Sequence, residues 1–186
     1  MKFALNVPMI FIVFFFLFQS SHSSNFISKS CKEASKINPP LSYDFCVAAL
    51  EETSSNLQPP PTTLEDLVGI SVQLAKSNGT NVLSIISKLL KDKSFDQYTK
   101  GCLQSCSDFY LQSLKFLDDA IVAFKSKNFS QAADILSYAT TQCVMCDDSF
   151  EERKTKSPLK TENQVYWELD IISLTFVNML RQHRKA

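Results

Sequence analysis

Glycine is almost missing from this chain: the 186 residues contain only Gly69, Gly79 and Gly101. Sandwiches and barrels need frequent turns rich in glycine, so an all-β architecture is disfavoured at the outset. Histidine is scarcer still, with only His22 and His183. A Ser-His-Asp triad or a His-bound metal needs positioned imidazoles, and the chain has little material for either. Charge of one sign is not in excess, because 19 Lys plus Arg face 19 Asp plus Glu. That leaves no basic footprint for nucleic acid. No apolar run reaches the roughly 20 residues that a membrane-spanning helix requires.

What the chain does have begins at its first residues, MKFALNVPMIFIVFFFLFQSSHSS. A lone Lys2, an apolar run from Val7 to Phe18 and a small polar stretch make the layout of a secretory signal peptide over residues 1–24. Cleavage is expected between Ser21 and Asn25, giving an exported, soluble chain with no membrane association. Loss of Lys2 leaves one more acid than base, and His22 leaves with the leader. The remaining residues, 25–186, are enough for one domain with a real core. All six cysteines remain, and an even number in an exported chain points to disulfides.

Apolar residues recur at three and four rather than at alternate positions, which predicts an all-α protein. Between residues 100 and 125, Leu103, Cys106, Tyr110, Leu114, Leu117, Ile121 and Phe124 form one sustained stripe. After the polar break KSKNFS, residues 130 to 147 repeat the pattern with Ala132, Leu136, Ala139, Cys143 and Cys146. These two helices should pair antiparallel. An earlier helix is expected to open at Thr62, with Glu65 completing the cap, after the linker QPPPT, and to bend near Gly79. A last helix should open at Thr161, with Gln164 three residues on. The expected fold is an up-and-down four-helix bundle over residues 62–182, preceded by a short helical hairpin over residues 25–55. Cys31 and Cys46 would tie that hairpin across the breaker NPPLS.

Two closely spaced pairs remain, Cys102 with Cys106 and Cys143 with Cys146. A zinc site would need all four thiolates to converge, yet they lie within helices and lack the turns of zinc knuckles. A redox C-x-x-C belongs at a helix start after a strand, and Cys143 and Cys146 fall toward a helix end. The antiparallel pairing favours a bridge instead. With the turn centred on Lys127 and Asn128, Cys106 and Cys146 are nearest to facing each other. Cys102 with Cys146, or Cys106 with Cys143, would follow from a slipped register. The reading is therefore Cys31–Cys46 and Cys106–Cys146, with Cys102 and Cys143 either free and buried or paired under strain. Closing loops of about 15 and 40 residues would contribute roughly 3 to 4 kcal/mol each.

The signal peptide, the C-x14-C hairpin with SYDFC at its second cysteine, and a bundle bridged between its second and third helices resemble the plant invertase and pectin methylesterase inhibitor family. Cys106 followed by Tyr110, the segment AIVAFKSKNFSQA, and CDDSFEE are similar to the pollen members named as invertase inhibitors. The resemblance covers essentially the whole mature chain. It implies no enzymatic activity and no cofactor. It implies a one-to-one complex with an apoplastic cell-wall enzyme whose cleft the inhibitor covers, either pectin methylesterase or an acid invertase. Two departures stand out. Cys102 and Cys143 exceed the family's usual four bridging cysteines. Where cell-wall invertase inhibitors carry Pro-Lys-Phe at the turn, this chain reads Lys127-Asn128-Phe129.

An invertase inhibitor is implied to insert Lys127 and Phe129 into the enzyme. A pectin methylesterase inhibitor is implied to bind through helix faces, at positions such as Asp108, Gln112, Gln131 and Asp134. Asn78-Gly79-Thr80 and Asn128-Phe129-Ser130 are glycosylation sequons. A glycan on Asn128 would cap the turn, which tilts the reading toward pectin methylesterase. The other classes are a ligand carrier, which needs a hollow core, and a storage protein without a target. The acidic pairs Asp118-Asp119, Asp147-Asp148 and Glu151-Glu152 read as solvated helix faces rather than a glycosidase acid pair. Tyr166 and Trp167 read as core before binding patch.

Overall fold

The computed structural model of the chain describes residues 24–55 and 57–184, so the expected signal peptide lies outside the described residues except for Ser24. Every regular element among the described residues is helical. Helix α1 covers residues 24–37, and α2 covers Tyr43–Ser54. The bundle follows as α3 (Leu64–Leu89), α4 (Gln97–Lys125), α5 (Phe129–Glu151) and α6 (Lys160–His183). Pro39 and Pro40 lie in the turn between α1 and α2, where proline's missing N–H interrupts no helix. Ser42 then starts α2 by accepting the Phe45 N–H. Cys31 and Cys46 close this hairpin as a disulfide, and α2 packs on α3 and α6.

In the bundle, α3 and α5 each lie beside both α4 and α6, so the four helices form a closed ring around one core. Leu67, Leu103, Leu117, Leu136, Ile172 and Phe176 are fully buried there. Side chains of this size each contribute about 1.5–3 kcal/mol by leaving water. The α4 stripe read from the sequence is buried as far as Tyr110. Beyond it the buried line passes to Ser113, Leu117 and Ala120, while Leu114, Ile121 and Phe124 are half-buried.

Local signals differ from expectation in three places. The α3 cap is Thr63 with Asp66, one residue later than Thr62 with Glu65. The Asp66 carboxylate accepts the backbone N–H groups of both Thr62 and Thr63, at 3.0 and 2.9 Å, while its own N–H donates to the Thr63 hydroxyl. Burial pushes this carboxyl up, but those hydrogen bonds outweigh it and hold it below its ordinary pKa. Glu65 is thereby left free to meet Lys127. Helix α6 starts at Lys160 after the buried Leu159, without a side-chain cap, and Gln164 donates to Glu168 instead of turning back. Helix α3 runs unbroken through Gly79, so no bend is needed to account for that glycine.

The shortage of glycine reappears in the turns. None of the three glycines has a positive φ, and the two left-handed positions are held by Lys127 (φ 59°) and Lys154 (φ 53°). After α4, the Lys127 N–H donates to the Phe124 carbonyl and the Asn128 N–H to the Ala123 carbonyl. This is the Schellman closure that glycine normally completes, here with lysine at the left-handed position. Lys154 and Thr155 close α5 with the same pair of bonds, to Glu151 and Phe150.

Candidate functional site

The α4–α5 hairpin carries most of the residues that the sequence singled out, beginning with its turn. Asn128 caps α5: its Oδ1 accepts the Gln131 N–H at 3.3 Å, and its Nδ2 donates to the Gln131 side-chain oxygen at 2.9 Å. Lys127 is exposed, and its ammonium pairs with Glu65 at 2.5 Å. Phe129 is only 7% exposed. Its ring lies 5.6 Å from that of Phe124, and the Arg184 guanidinium stands 5.5 Å from the ring centre. Arg184 also donates to the Lys127 carbonyl at 2.6 Å. Phe129 is thus not a projecting anchor as an inserted turn would require, because as the first residue of α5 its side chain falls on the core side. Of the two sequons, Asn128 is exposed, whereas Asn78 is half-buried inside α3.

Further along the hairpin, Cys106 on α4 is bonded to Cys146 on α5, with their Cα atoms 4.7 Å apart. This bond takes two of the four thiolates that a zinc site would have needed. Cys102 and Cys143 are free and buried. The Cys102 thiol and the Tyr98 hydroxyl both donate to the Ser149 carbonyl, at 3.1 and 2.8 Å. The Cys143 thiol donates to the Thr140 carbonyl one turn back. Burial pushes the Cys143 thiol well above its ordinary pKa, and the nearby carboxyls of Asp170 and Asp147 add to the shift. It is therefore a packed thiol rather than a nucleophile.

A polar network braces the bridge from within. The Tyr110 hydroxyl donates to Asn163 Oδ1 at 2.7 Å, and Asn163 Nδ2 donates to Asp147 at 2.5 Å. Burial raises the Asp147 carboxyl against the opposing hydrogen bonds from Asn163 and Ser157. Beside it, the Tyr166 hydroxyl donates to Ser113 Oγ at 2.8 Å, leaving the Ser113 hydrogen for the Ala139 carbonyl at 2.9 Å. The Tyr110 and Tyr166 rings meet edge to face at 4.8 Å. This chain of contacts joins α4, α5 and α6 and places Tyr166 in the core; Trp167 is half-buried.

The outer side of the hairpin is an extended face that the core leaves largely free. On α4, Ser105, Phe109, Gln112, Phe116 and Asp119 step by four and three along one line. On α5, Gln131, Ile135, Tyr138, Gln142 and Met145 do the same, with Gln142 buried between its neighbours. The two lines meet where the Phe116 and Tyr138 rings lie 5.9 Å apart. Tyr138 is 58% exposed, a large aromatic in water at the middle of the seam. Gln112 and Gln131 belong to these lines. The exposed Asp108 and Asp134 precede Gln112 and Tyr138 by one helical turn. The residues named from the sequence thus include polar members of these lines but not the aromatic pair Phe116 and Tyr138. Spacing offset from the core stripe was the signal that could have found it. Such a face offers shape, an aromatic centre and a polar rim. Among the described residues no group of three His, Cys, Asp or Glu side chains is arranged to hold a metal ion.

Comparison with known proteins agrees with the helical fold. The family described as "Plant invertase/pectin methylesterase inhibitor" matches residues 25–178. A protein of Platanus acerifolia named "Putative invertase inhibitor" is 31% identical over 181 residues, covering 97% of this chain and 99% of the relative. "Pectinesterase inhibitor 12" of Arabidopsis thaliana is 35% identical over 171 residues, covering 91% and 97%. Among solved structures, the crystal structure of a mutant form of a pectin methylesterase inhibitor from Arabidopsis superposes with a TM-score of 0.62 at 22% identity, over 75% of this chain and 90% of that one. A second, of a pectin methylesterase inhibitor from Arabidopsis thaliana, gives 0.58 at 21% identity, over 80% and 96%. At that identity the structures speak for the fold alone. The match to residues 25–178 and the relatives above 30% identity decide the rest: the chain belongs to the plant invertase/pectin methylesterase inhibitor family.

Proposed function

We propose that the protein is a secreted inhibitor of pectin methylesterase, acting in the cell wall as a one-to-one complex through the outer seam of α4 and α5. The observation that carries this reading is the contrast between turn and seam. Phe129 is buried and Lys127 is engaged by Glu65, so the turn offers no free aromatic anchor. The seam offers an exposed Tyr138 against Phe116, flanked by Gln112, Asp108 and Asp134. Aromatic anchors ringed by polar groups are where interface energy concentrates. The rigidity supplied by the Cys106–Cys146 bridge lowers the ordering cost of docking that face. Secretion rests on the residue pattern of 1–24; no helix among the described residues is long and apolar enough to cross a membrane.

Inhibition of an acid invertase is the second reading, favoured by the names of the Platanus relatives. Disulfide-intact mature protein assayed against both enzymes separates the two. Stoichiometric loss of pectin methylesterase activity, with acid invertase unaffected at micromolar inhibitor between pH 4 and 7, is the expected result. Inhibition of invertase alone would overturn the choice of target.

A further inference from the structure

The turn end of the bundle holds a feature that the inhibitory seam does not use. A cleft of about 290 Å³ lies between the α4–α5 turn and the last turn of α6, lined by Lys127, Asn128, Phe129, Ser130, Arg181 and Arg184. Among the described residues three cations border it and no carboxylate does. Glu65 reaches only the Lys127 ammonium. Arg184 is fixed in place by its bond to the Lys127 carbonyl and by the Phe129 ring. Arg181 is half-buried and has neither a hydrogen-bond nor an ion-pair partner among the described residues. A partly desolvated guanidinium without a counter-ion is an unfavourable arrangement that an arriving anion relieves. The positive character is local, because the chain as a whole carries no net charge.

We infer that this cleft is a subsite for a uronic-acid carboxylate on an acidic polysaccharide chain. The planar fork of Arg181 matches a carboxylate with two parallel N–H donors, a fit that an ammonium cannot reproduce. The exposed Ser130 hydroxyl beside it suits the hydroxyls of a sugar ring. The volume sits at the bottom of the range of about 300–1,000 Å³ for small-molecule pockets, which favours a single sugar residue over a folded acidic segment of protein. The source of such carboxylates rests on the proposed function: removing methyl esters from pectin leaves free uronates. An inhibitor holding them would be retained where the enzyme has already worked.

The test needs no enzyme, so its outcome is independent of whether inhibition is found. Mature chain produced in a bacterial periplasm, free of glycan and with both disulfides verified, is titrated by calorimetry with an oligogalacturonate and with its fully methyl-esterified form. At pH 7 and about 50 mM ionic strength, where surface electrostatics are only partly screened, the free acid is expected to bind at least about tenfold more tightly than the ester. Arg181→Gln should weaken it at least about fivefold, and Arg181→Lys should restore only part, at unchanged melting temperature. The double change Lys32→Gln with Lys36→Gln on α1 should leave it within about twofold. Equal binding of acid and ester, or equal weakening by the α1 changes, would overturn the site. Displacement by equimolar inorganic phosphate would reduce it to a general anion site, and equal affinity for polyglutamate would assign it to an acidic protein segment; both contradict the proposal.

Discussion

Tyr166 on α6 lies so close to Gly79 on α3 that a Cβ added to Gly79 would stand 2.8 Å from Tyr166 Cε2 and 3.0 Å from Leu114 Cδ2. The glycine is there for space, since its φ is ordinary and its helix is continuous. Two effects oppose each other in Gly79→Ala. Helix propensity favours alanine by about 1 kcal/mol. Overpacking costs about 1–3 kcal/mol, and Tyr166 cannot easily retreat, because it is fully buried and its hydroxyl is bound to Ser113. The variant is expected to be less stable by up to about 2 kcal/mol in urea unfolding. Gly69→Ala and Gly101→Ala, with nothing near the added atom, should be neutral or stabilising. A stabilised Gly79→Ala would show that the Tyr166 contact yields readily.

The number and order of helices were legible in the sequence because a sustained three-four stripe such as Leu103 to Leu117 has few ways to be buried. The family was legible because Cys31, Cys46, Cys106 and Cys146 constrain spacing as well as composition. What was not legible depends on which of two adjacent solutions wins. Thr62 with Glu65 and Thr63 with Asp66 are equivalent as patterns; the helix takes the second, and Glu65 pairs with Lys127 instead. The inward side of Phe129 depends on α5 starting one residue earlier than its polar break suggested. Asn163 and Asp170 are buried polar groups on a helix that reads as amphipathic. Tyr138 escaped notice because an aromatic at helical spacing is by default core.

Asp170 predicts an unusual pH dependence. Its carboxyl is fully buried with neither oxygen hydrogen-bonded, and burial raises its pKa well above the ordinary value of 3.8. Tyr110 on α4, Cys143 on α5 and Tyr166 on its own helix are the titratable groups that feel its charge, and none is cationic. The folded state therefore holds a proton that the unfolded chain releases above about pH 3.9. Stability is full below that pH and falls as pH rises toward the folded-state value. Asp170→Asn keeps the shape and cannot ionise. Its melting temperature should match that of the parent near pH 3 and exceed it increasingly from pH 4 to 7. A difference independent of pH would mean that the carboxyl finds a partner when charged.

The cysteines predict a simple titration. Native protein at pH 8 should react negligibly with a thiol reagent, since Cys102 and Cys143 are buried and hydrogen-bonded to carbonyls. Denaturation without reductant should expose those two thiols, and reduction the four sulfurs of the two bridges. Peptide mapping should recover Cys31–Cys46 and Cys106–Cys146. No thiol after denaturation would mean that Cys102 and Cys143 are paired after all.

Seam and turn make opposite demands on inhibition, and two alanine variants separate them. Phe129→Ala removes a buried ring packed against Phe124, so its main effect should be on stability, a loss of about 3 kcal/mol in line with large core truncations. Its effect on inhibition of pectin methylesterase should stay under about threefold, or about 0.7 kcal/mol, provided the fold is intact. Tyr138→Ala should do the reverse. The ring is mostly in water in the free protein, so its loss should barely move the melting temperature. In the complex it would be desolvated beside Phe116, where an aromatic anchor is worth about 2 kcal/mol or more. Inhibition should therefore weaken at least about thirtyfold. Gln112→Ala, next to the ring pair, should cost less, as rim positions do. A Tyr138→Ala protein that inhibits as well as its parent, beside a folded Phe129→Ala protein that has lost inhibition, would move the binding face from the seam to the turn and the target from pectin methylesterase to invertase.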